Sequence, residues 1–380
     1  MSAPELDSQA ARSLRVALVG PLPPPPGGMA NQTRQLARLL EQEGMRVEVV
    51  QTNAPYRPHW VGVLRGARAL FRLLPFLFQL WATAGRVQLF HVMANSGWAW
   101  FLCAAPAVWI AKLHRIPVVV NYRGGDADEF FKRSFFWVGP TMRMADRRVV
   151  PSGYLRQVFQ RFDLSTEIVP NIVDLDRFTP RPPRSDSRDD GPHLVVTRNL
   201  EPLYDIATAL RAFAMVREKR PGARMTIAGD GPDRDRLVAL AHELDVAPSV
   251  TFTGRLEADR IAKLYLEADV CVNSSLHDNM PNALLEALAS GVPVVSSDVC
   301  GIPFLVEHQK TALLVPPRDP SAMARAVLDL VDSPGVAERL ARAGMDLVQQ
   351  YTWGRVRPRL LEVYFALTGG PVSKATAEIR

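Results

Sequence analysis

The chain has 380 residues, of which 47% are hydrophobic and 22% charged, with three cysteines and a formal net charge of +6. This composition predicts a globular protein of about two domains and excludes a disulfide-rich scaffold. The excess positive charge permits nucleic acid or an anionic membrane as a partner. No basic run alternates with aromatic residues, so we expect no nucleic-acid partner.

The first elements of the chain predict a β–loop–α–β unit. Residues 1–12 are polar and lack the apolar core of a signal peptide, and we expect a disordered leader there. The apolar run Arg15–Gly20 is typical of a buried strand. A proline-rich loop then ends at Gly27 and Gly28, before helical spacing over 30–43 and a strand over 47–50. Glycines therefore stand at the strand-to-helix turn.

Two apolar segments of the first half raise the question of a membrane. Residues 67–84 are rich in Leu, Phe and Trp, carry basic residues such as Arg65 and Arg72 near their start, and contain Pro75. Residues 98–111 form the second segment. Neither offers the ~18 uninterrupted apolar residues of a spanning helix. We expect the second to be a buried helix, while an amphipathic helix on the bilayer surface stays open for the first.

Strand-like runs continue to alternate with helical stretches along both halves of the chain. A segment over 179–192 is rich in Pro, Arg, Asp and Ser, which is typical of a linker between the halves. The pattern predicts an α/β protein with two doubly wound parallel sheets, an N-terminal domain over 13–180 and a C-terminal domain over 192–352. A last helix over 355–368 is expected to pack back on the first domain. Such folds bind ligands at the carboxyl ends of their strands, here in a cleft between the domains.

Three features of the second half follow predicted strands and suit an anion. Arg198 can bind a phosphate with two parallel hydrogen bonds, although the simpler interpretation is a surface cation. Gly229 and Gly231 flank an aspartate in what is also an ordinary turn signal. Asp278 precedes a predicted helix that contains Glu286, and the N–H groups at the tip of that helix suit a phosphate. The alternative interpretation is that Asp278 only caps the helix N-terminus and that Glu286 is a solvated helix residue. Together the three features favour a sugar-nucleotide site.

The second half resembles the nucleotide-binding domain of the family 4, GT-B-type glycosyltransferases. The matching pieces are residues 169–178, 228–232, 250–256 and 278–291, and the likeness runs in order over roughly residues 14–365. The resemblance implies a GT-B fold and a retaining, hexosyltransferase-type enzyme that takes a sugar from a nucleotide diphosphate and needs no metal or other cofactor.

The resemblance also implies roles for single residues. Glu286 would hold the donor ribose, Asp278 would contact the donor sugar and Arg198 would grip the phosphates. The remaining donor contacts would come from backbone and small residues: Gly27, Gly28, Gly229, Gly231, Arg255, Leu256, Asn279, Met280, Pro281 and Asn282.

Two positions depart from the family pattern. Tyr204 stands where the family has a lysine, and a tyrosine cannot neutralise a diphosphate. Arg123 follows the strand that often precedes a family histidine, and it is either a compensating catalytic cation or a plain loop cation. We expect His91 to be a packed core histidine. Asp278 is one methylene shorter than the family's usual glutamate, so its reach to the sugar differs.

We therefore expect a cytoplasmic glycosyltransferase of cell-envelope or exopolysaccharide biosynthesis. Its partners would be a nucleotide sugar and a glycan or glycolipid acceptor, with binding to an anionic membrane at the inner face of the plasma membrane left open. The alternatives are a sugar-nucleotide epimerase of the same architecture and a catalytically silent sugar-nucleotide-binding protein.

Overall fold

The computed structural model describes residues 14–24, 27–55, 68–181 and 191–369. The expected leader, Arg65 and most of the expected linker lie outside these residues. The described residues form two compact units: one lies within Met1–Pro170 and Val356–Arg380, the other within Asn171–Arg355.

The first unit is built around a parallel six-stranded sheet of order β2-β1-β3-β4-β5-β6. Its strands are β1 (Arg15–Gly20), β2 (Arg46–Gln51), β3 (Leu89–Ala94), β4 (Val118–Tyr122), β5 (Arg147–Val150) and β6 (Glu167–Ile168). Its helices are α1 (Gly28–Gln42), α2 (Arg68–Ala84), α3 (Ala105–Leu113, preceded by a π-helical turn at Trp100–Ala104), α4 (Ala127–Met144), α5 (Gly153–Gln160) and the C-terminal α12 (Trp353–Thr368).

The central strands of this sheet are buried on both faces. Every residue of β3 and β4 is buried, as expected for parallel strands covered by helices on both sides. One face, with Phe90, Val92 and Val120, packs into a core with α2 to α5. The apolar, β-branched runs seen in the sequence therefore form the middle of the sheet.

The second unit repeats this architecture with the strand order β12-β11-β10-β7-β8-β9. Its strands are β7 (His193–Val196), β8 (Arg224–Ala228), β9 (Val250–Gly254), β10 (Val270–Asn273), β11 (Val294–Ser297) and β12 (Leu313–Val315). Its helices are α6 (Ile206–Lys219), α7 (Arg234–Glu243), α8 (Ala258–Glu267), α9 (Asn282–Ala289), α10 (Pro320–Asp332) and α11 (Pro334–Val348). The two parallel sheets confirm the predicted α/β class.

The chain passes into the second unit earlier than the composition of the linker suggests. Asn171 donates to the Met280 carbonyl at 2.8 Å, and the backbone N–H of Val173 donates to Tyr351 at 2.9 Å. These bonds tie residues after Pro170 to the second unit, whereas the sequence placed them in the first. A proline-rich segment marks a loop, but it does not tell which sheet the flanking residues join.

Candidate functional site

The carboxyl ends of three neighbouring strands carry the anion-compatible features of the second unit. β10, β7 and β8 are adjacent and parallel. Asp278 lies in the loop after β10, Arg198 follows β7, and Gly229 and Gly231 follow β8. Because parallel strands end at the same edge of the sheet, these loops meet there.

Arg198 and Asp278 form a hydrogen-bonded ion pair at this edge. Each side chain is only 12% exposed. Burial lowers the pKa of Arg198, but the interactions with Asp278, Tyr204 and Tyr265 together outweigh it, so this pKa rises and the guanidinium stays charged. Burial raises the pKa of Asp278, while Arg198 opposes the rise. The pair therefore holds two opposite charges in a site largely withdrawn from water.

Tyr204 lies against this pair. The guanidinium carbon of Arg198 is 4.1 Å from the centroid of the Tyr204 ring, a cation–π contact. The Tyr204 carbonyl accepts a hydrogen bond of 2.9 Å from Ser274 Oγ, which fixes its loop against the end of β10. The residue in place of the family's lysine thus covers one face of the arginine instead of adding a second charge.

The backbone before α9 differs from the sequence expectation. The N–H groups of Asn279 and Met280 bond the Asp278 carboxylate, although we expected them to face a ligand. Pro281 directly precedes α9, which begins at Asn282. A short aspartate side chain folds back on the next backbone donors, and this local competition explains the difference.

Glu286 lies inside α9, and its side chain is half-buried. Within the described part of the chain, no group donates a hydrogen bond to its carboxylate. Burial raises its pKa from 4.5 to about 8, against the opposing attraction of Arg198 and Arg177. A carboxylate in this setting gains stability from any ligand that brings hydrogen-bond donors.

The glycines after β8 are explained by close packing of backbone. A Cβ at Gly229 would lie 1.9 Å from the Arg198 carbonyl oxygen, and one at Gly231 would lie 2.3 Å from that of Leu200. The backbone N–H of Leu200 donates to the Asp230 carbonyl at 3.1 Å. These glycines therefore hold the segment that carries Arg198 against β8.

The remaining predicted contacts of the second unit lie at the edge strand and at the start of α9. Arg255 is exposed directly after β9, and Leu256 is half-buried against the core around α9. Asn282 Oδ1 accepts a hydrogen bond of 2.7 Å from Asn171. Asn171 was not predicted as a site residue, although it belongs to the first matched piece of the sequence.

Tyr265 is a further residue that the sequence analysis did not single out. It is fully buried, and its hydroxyl donates to the Ala283 carbonyl at 3.0 Å in the first turn of α9. Thr197 Oγ1, directly before Arg198, is also hydrogen-bonded to this hydroxyl. Tyr265 thus links the β7 loop to the helix that carries Glu286, and no local sequence signal predicts such a link.

The predicted residues of the first unit lie at the carboxyl ends of β1 and β4. Gly27 is extended at the start of α1, and a Cβ there would meet nothing within 4 Å. Gly28 is the first residue of α1. Arg123 follows β4, and burial lowers its pKa to about 10, so it remains a cation at neutral pH. His91 is fully buried, as expected.

A metal site and a membrane-spanning helix are both absent from the described ranges. No group of three or more His, Cys, Asp and Glu side chains there could hold a metal ion. None of the described helices is both long and apolar enough to cross a bilayer.

Comparison with known proteins extends these observations. A model of glycosyl transferases group 1 matches residues 179–346, and a model of glycosyltransferase family 4 matches residues 26–177. Glycogen synthase of Mycobacterium tuberculosis is 28% identical over 290 residues, which cover 71% of this chain and 68% of that protein. A GDP-mannose-dependent alpha-(1-6)-phosphatidylinositol monomannoside mannosyltransferase of the same species is 32% identical over 212 residues, covering 52% of this chain and 55% of its own length.

Solved structures share the fold at lower identity. Sucrose-phosphate synthase from Thermosynechococcus elongatus superposes with a TM-score of 0.74 at 21% identity, covering 94% of this chain and 100% of that one. HepE of Anabaena, solved in complex with UDP and glucose, gives a TM-score of 0.74 at 18% identity, covering 93% and 100%. With family models matched in both halves and this fold on two parallel sheets, the chain belongs to family 4 of the glycosyltransferases and is a glycosyltransferase enzyme of GT-B fold.

Proposed function

We propose that the enzyme transfers a sugar, with retention, from a nucleotide-diphosphate donor to a lipid-linked or polysaccharide acceptor in cell-envelope or exopolysaccharide biosynthesis. The observation that carries the donor part is the Glu286 carboxylate, half-buried beside the Arg198–Asp278 pair and lacking a donor among the described residues. A ribose diol supplies two hydroxyl donors to such a group. A relative named for GDP-mannose and a protein of the same fold solved in complex with UDP support a donor of this class.

The proposed reaction breaks the bond between the sugar C1 and the diphosphate oxygen. The acceptor oxygen attacks C1 on the same face of the sugar from which the leaving group departs. The proton of the acceptor hydroxyl passes to the departing phosphate oxygen. Arg198 stabilises the negative charge on the diphosphate, and Arg123 supplies a second positive charge for the same purpose. Asp278 contacts the donor sugar. No metal or other cofactor takes part in this scheme, and the backbone around Gly27, Gly28, Arg255 and Leu256 completes the donor contacts.

The acceptor part of the proposal rests on an exposed apolar surface of the first unit, which we call the aromatic face. It lies on α2, on α3 with the preceding residues 98–104, and on α4, where α2 packs against α3 and α3 against α4. The Trp81 ring contacts His114 at 4.4 Å, and Trp109 Nε1 donates to Thr141 at 2.9 Å, so the three helices are joined at this surface. Its exposed members are Phe71, Leu74, Phe78, Trp81, Trp98, Leu102, Trp109, Leu113, Phe136, Trp137 and Met144.

The charge around α2 and α3 favours an anionic membrane as the occupant of the aromatic face. Residues 49–125 contain Arg and Lys but no Asp or Glu. On α2 the exposed Phe71, Leu74, Phe78 and Trp81 recur at helical spacing and form one stripe. An apolar stripe in a stretch without negative charge is the pattern of a surface-bound amphipathic helix. We therefore propose that the enzyme acts on the inner face of the plasma membrane, where a lipid-linked acceptor would lie.

A thermal-shift panel tests the donor part. The intact protein is heated with UDP-glucose, GDP-mannose or ADP-glucose, and the matching donor should raise the melting temperature by mass action. Glu286→Ala should abolish this rise, while the exposed Glu243→Ala on α7 should retain it. Unchanged stabilisation of Glu286→Ala would refute the assignment of Glu286.

Sedimentation with vesicles tests the acceptor part. The protein should pellet with vesicles containing phosphatidylglycerol and far less with pure phosphatidylcholine. Phe78 and Trp137 are 76% and 71% exposed, and replacing both by Glu should lower binding more than tenfold, since each buried aromatic contributes roughly 1.5–3 kcal/mol. Phe76 is buried in the core and is unsuitable for this test. Met215→Glu on the second unit is the control, and equal binding of the double variant would exclude the aromatic face.

A further inference from the structure

A histidine lies in the middle of one of the two fully buried strands of the first unit. His91 lies in β3 between apolar neighbours and is 0% exposed. In the register of the sheet, Met93 pairs with Asn121 of β4, so His91 and Asn121 lie on the same face of the two strands. Tyr364 of α12 covers this face, with its ring edge-on to the imidazole. Three buried polar side chains therefore meet inside an otherwise apolar layer.

Their hydrogen bonds form a chain whose direction is set by Arg123. Arg123 Nε can only donate, so Asn121 Oδ1 must accept this bond of 3.1 Å. The Asn121 amide nitrogen then donates to His91 Nε2 at 3.0 Å, which leaves that ring nitrogen without a proton. The His91 proton consequently lies on Nδ1 and is donated to the Tyr364 hydroxyl oxygen at 2.6 Å.

Packing alone does not explain this arrangement. A leucine at position 91 would avoid the cost of desolvating an imidazole, and replacing all members of a buried hydrogen-bonded group by apolar residues is often nearly neutral for stability. Burial lowers the pKa of His91 to about 3, so the ring is neutral and serves as one acceptor and one donor. The chain of bonds ends at Arg123, which is the only one of the four side chains that is not buried.

We propose that Asn121, His91 and Tyr364 are positioning residues that fix the plane of the Arg123 guanidinium at the carboxyl end of β4. This inference rests on the proposed role of Arg123 as a cation for the leaving diphosphate. The Nε bond to Asn121 holds the guanidinium in one orientation, and His91 and Tyr364 hold Asn121. A cation that is held in place before the reaction stabilises developing charge without reorganisation.

The tautomer of His91 tests the chain of bonds without any substrate. In the protein labelled with ¹⁵N-histidine, NMR should show His91 protonated at Nδ1, with the resonance assigned by its loss in His91→Gln. Asn121→Asp replaces the amide donor by an acceptor, so the proton should move to Nε2 and Tyr364 should become the donor. An Nε2 proton in the wild type, or an unchanged tautomer in Asn121→Asp, would overturn the inference.

Turnover tests what the chain of bonds does. The donor identified by the thermal-shift panel is used, and release of the nucleoside diphosphate is followed. His91→Leu and Tyr364→Phe should each lower kcat about 10- to 100-fold with little change in KM for the donor, since small displacements of a catalytic group cost up to about 100-fold. His91→Gln, which keeps one acceptor and one donor, should recover part of kcat. Thr311→Val removes a buried hydroxyl of the second unit, outside the chain of bonds, and is the control.

A double-mutant cycle separates this inference from the proposed function. If His91 acts through Arg123, then His91→Leu should have no further effect on kcat in the Arg123→Ala background. Losses that multiply would overturn the positioning role while leaving the role of Arg123 intact. Unchanged kcat in Arg123→Ala alone would overturn the role of Arg123 in the proposed function, and the inference with it.

Discussion

Replacing Glu286 by Gln should make the ligand-free enzyme more stable at alkaline pH. Burial raises the pKa of this carboxyl from 4.5 to about 8. The unfolded chain therefore ionises first, and the folded state loses stability as the pH rises above 4.5, until the loss is complete above about 8. Gln does not ionise, so the variant should lack this loss.

The size of the effect follows from the same two values. A rise from 4.5 to about 8 corresponds to at most ~5 kcal/mol at 1.36 kcal/mol per pKa unit. Since Glu286 is only half-buried, and since part of the loss is already present at pH 6, we expect about 2 kcal/mol between pH 6 and pH 9. For a unit of this size that equals roughly 4–8 °C in melting temperature.

Differential scanning fluorimetry at several pH values between 6 and 9 measures this difference. The wild type should lose about 4–8 °C more than Glu286→Gln over this range, and Glu243→Gln should follow the wild type. If the melting temperatures of wild type and Glu286→Gln change in parallel with pH, the view that ionisation of Glu286 destabilises the folded state is refuted. The same variant should bind the donor more weakly, because an amide offers only one acceptor oxygen to the two ribose hydroxyls.

Three further predictions concern the loops around Arg198. Asp278→Asn leaves the arginine buried without its counter-charge and should lower the free energy of unfolding by about 3–5 kcal/mol in urea, and a loss well under 1 kcal/mol would contradict a buried ion pair. Gly229→Ala places a Cβ against the Arg198 carbonyl and should cost about 1–3 kcal/mol in the same assay, whereas Gly335→Ala, where a Cβ meets nothing, should cost nothing. Tyr204→Phe should keep the cation–π contact and the unfolding midpoint, while Tyr204→Leu should lose about 1 kcal/mol, and equal midpoints would show that the ring contributes nothing.

The sequence predicted the parts of this molecule that depend on local pattern. Apolar β-branched runs such as 118–120 became the central strands, and the order of glycine turns after strands placed Arg198 and Asp278 at one sheet edge. The sequence did not predict which acceptor each backbone N–H group bonds. The N–H groups of Asn279 and Met280 could serve a ligand or the neighbouring carboxylate, and both choices satisfy the same sequence.

Contacts between segments that are distant along the chain also could not be predicted from the sequence. The stacking of Tyr204 on Arg198 depends on how a short turn after β7 lies against the end of β10. The partner of His91 comes from a helix 273 positions later along the chain. A single sequence carries no signal for such pairs, since each residue alone is compatible with many neighbours.

The return of α12 to the first unit has a consequence for synthesis on the ribosome. Domains generally fold in the order in which they emerge, yet here the second unit, within Asn171–Arg355, is the continuous one and is complete before α12 has been made. Until Tyr364 emerges, the buried Nδ1 of His91 lacks its acceptor, and an unsatisfied buried polar group costs about 1–3 kcal/mol. The half of the enzyme that is translated first therefore reaches its native state last.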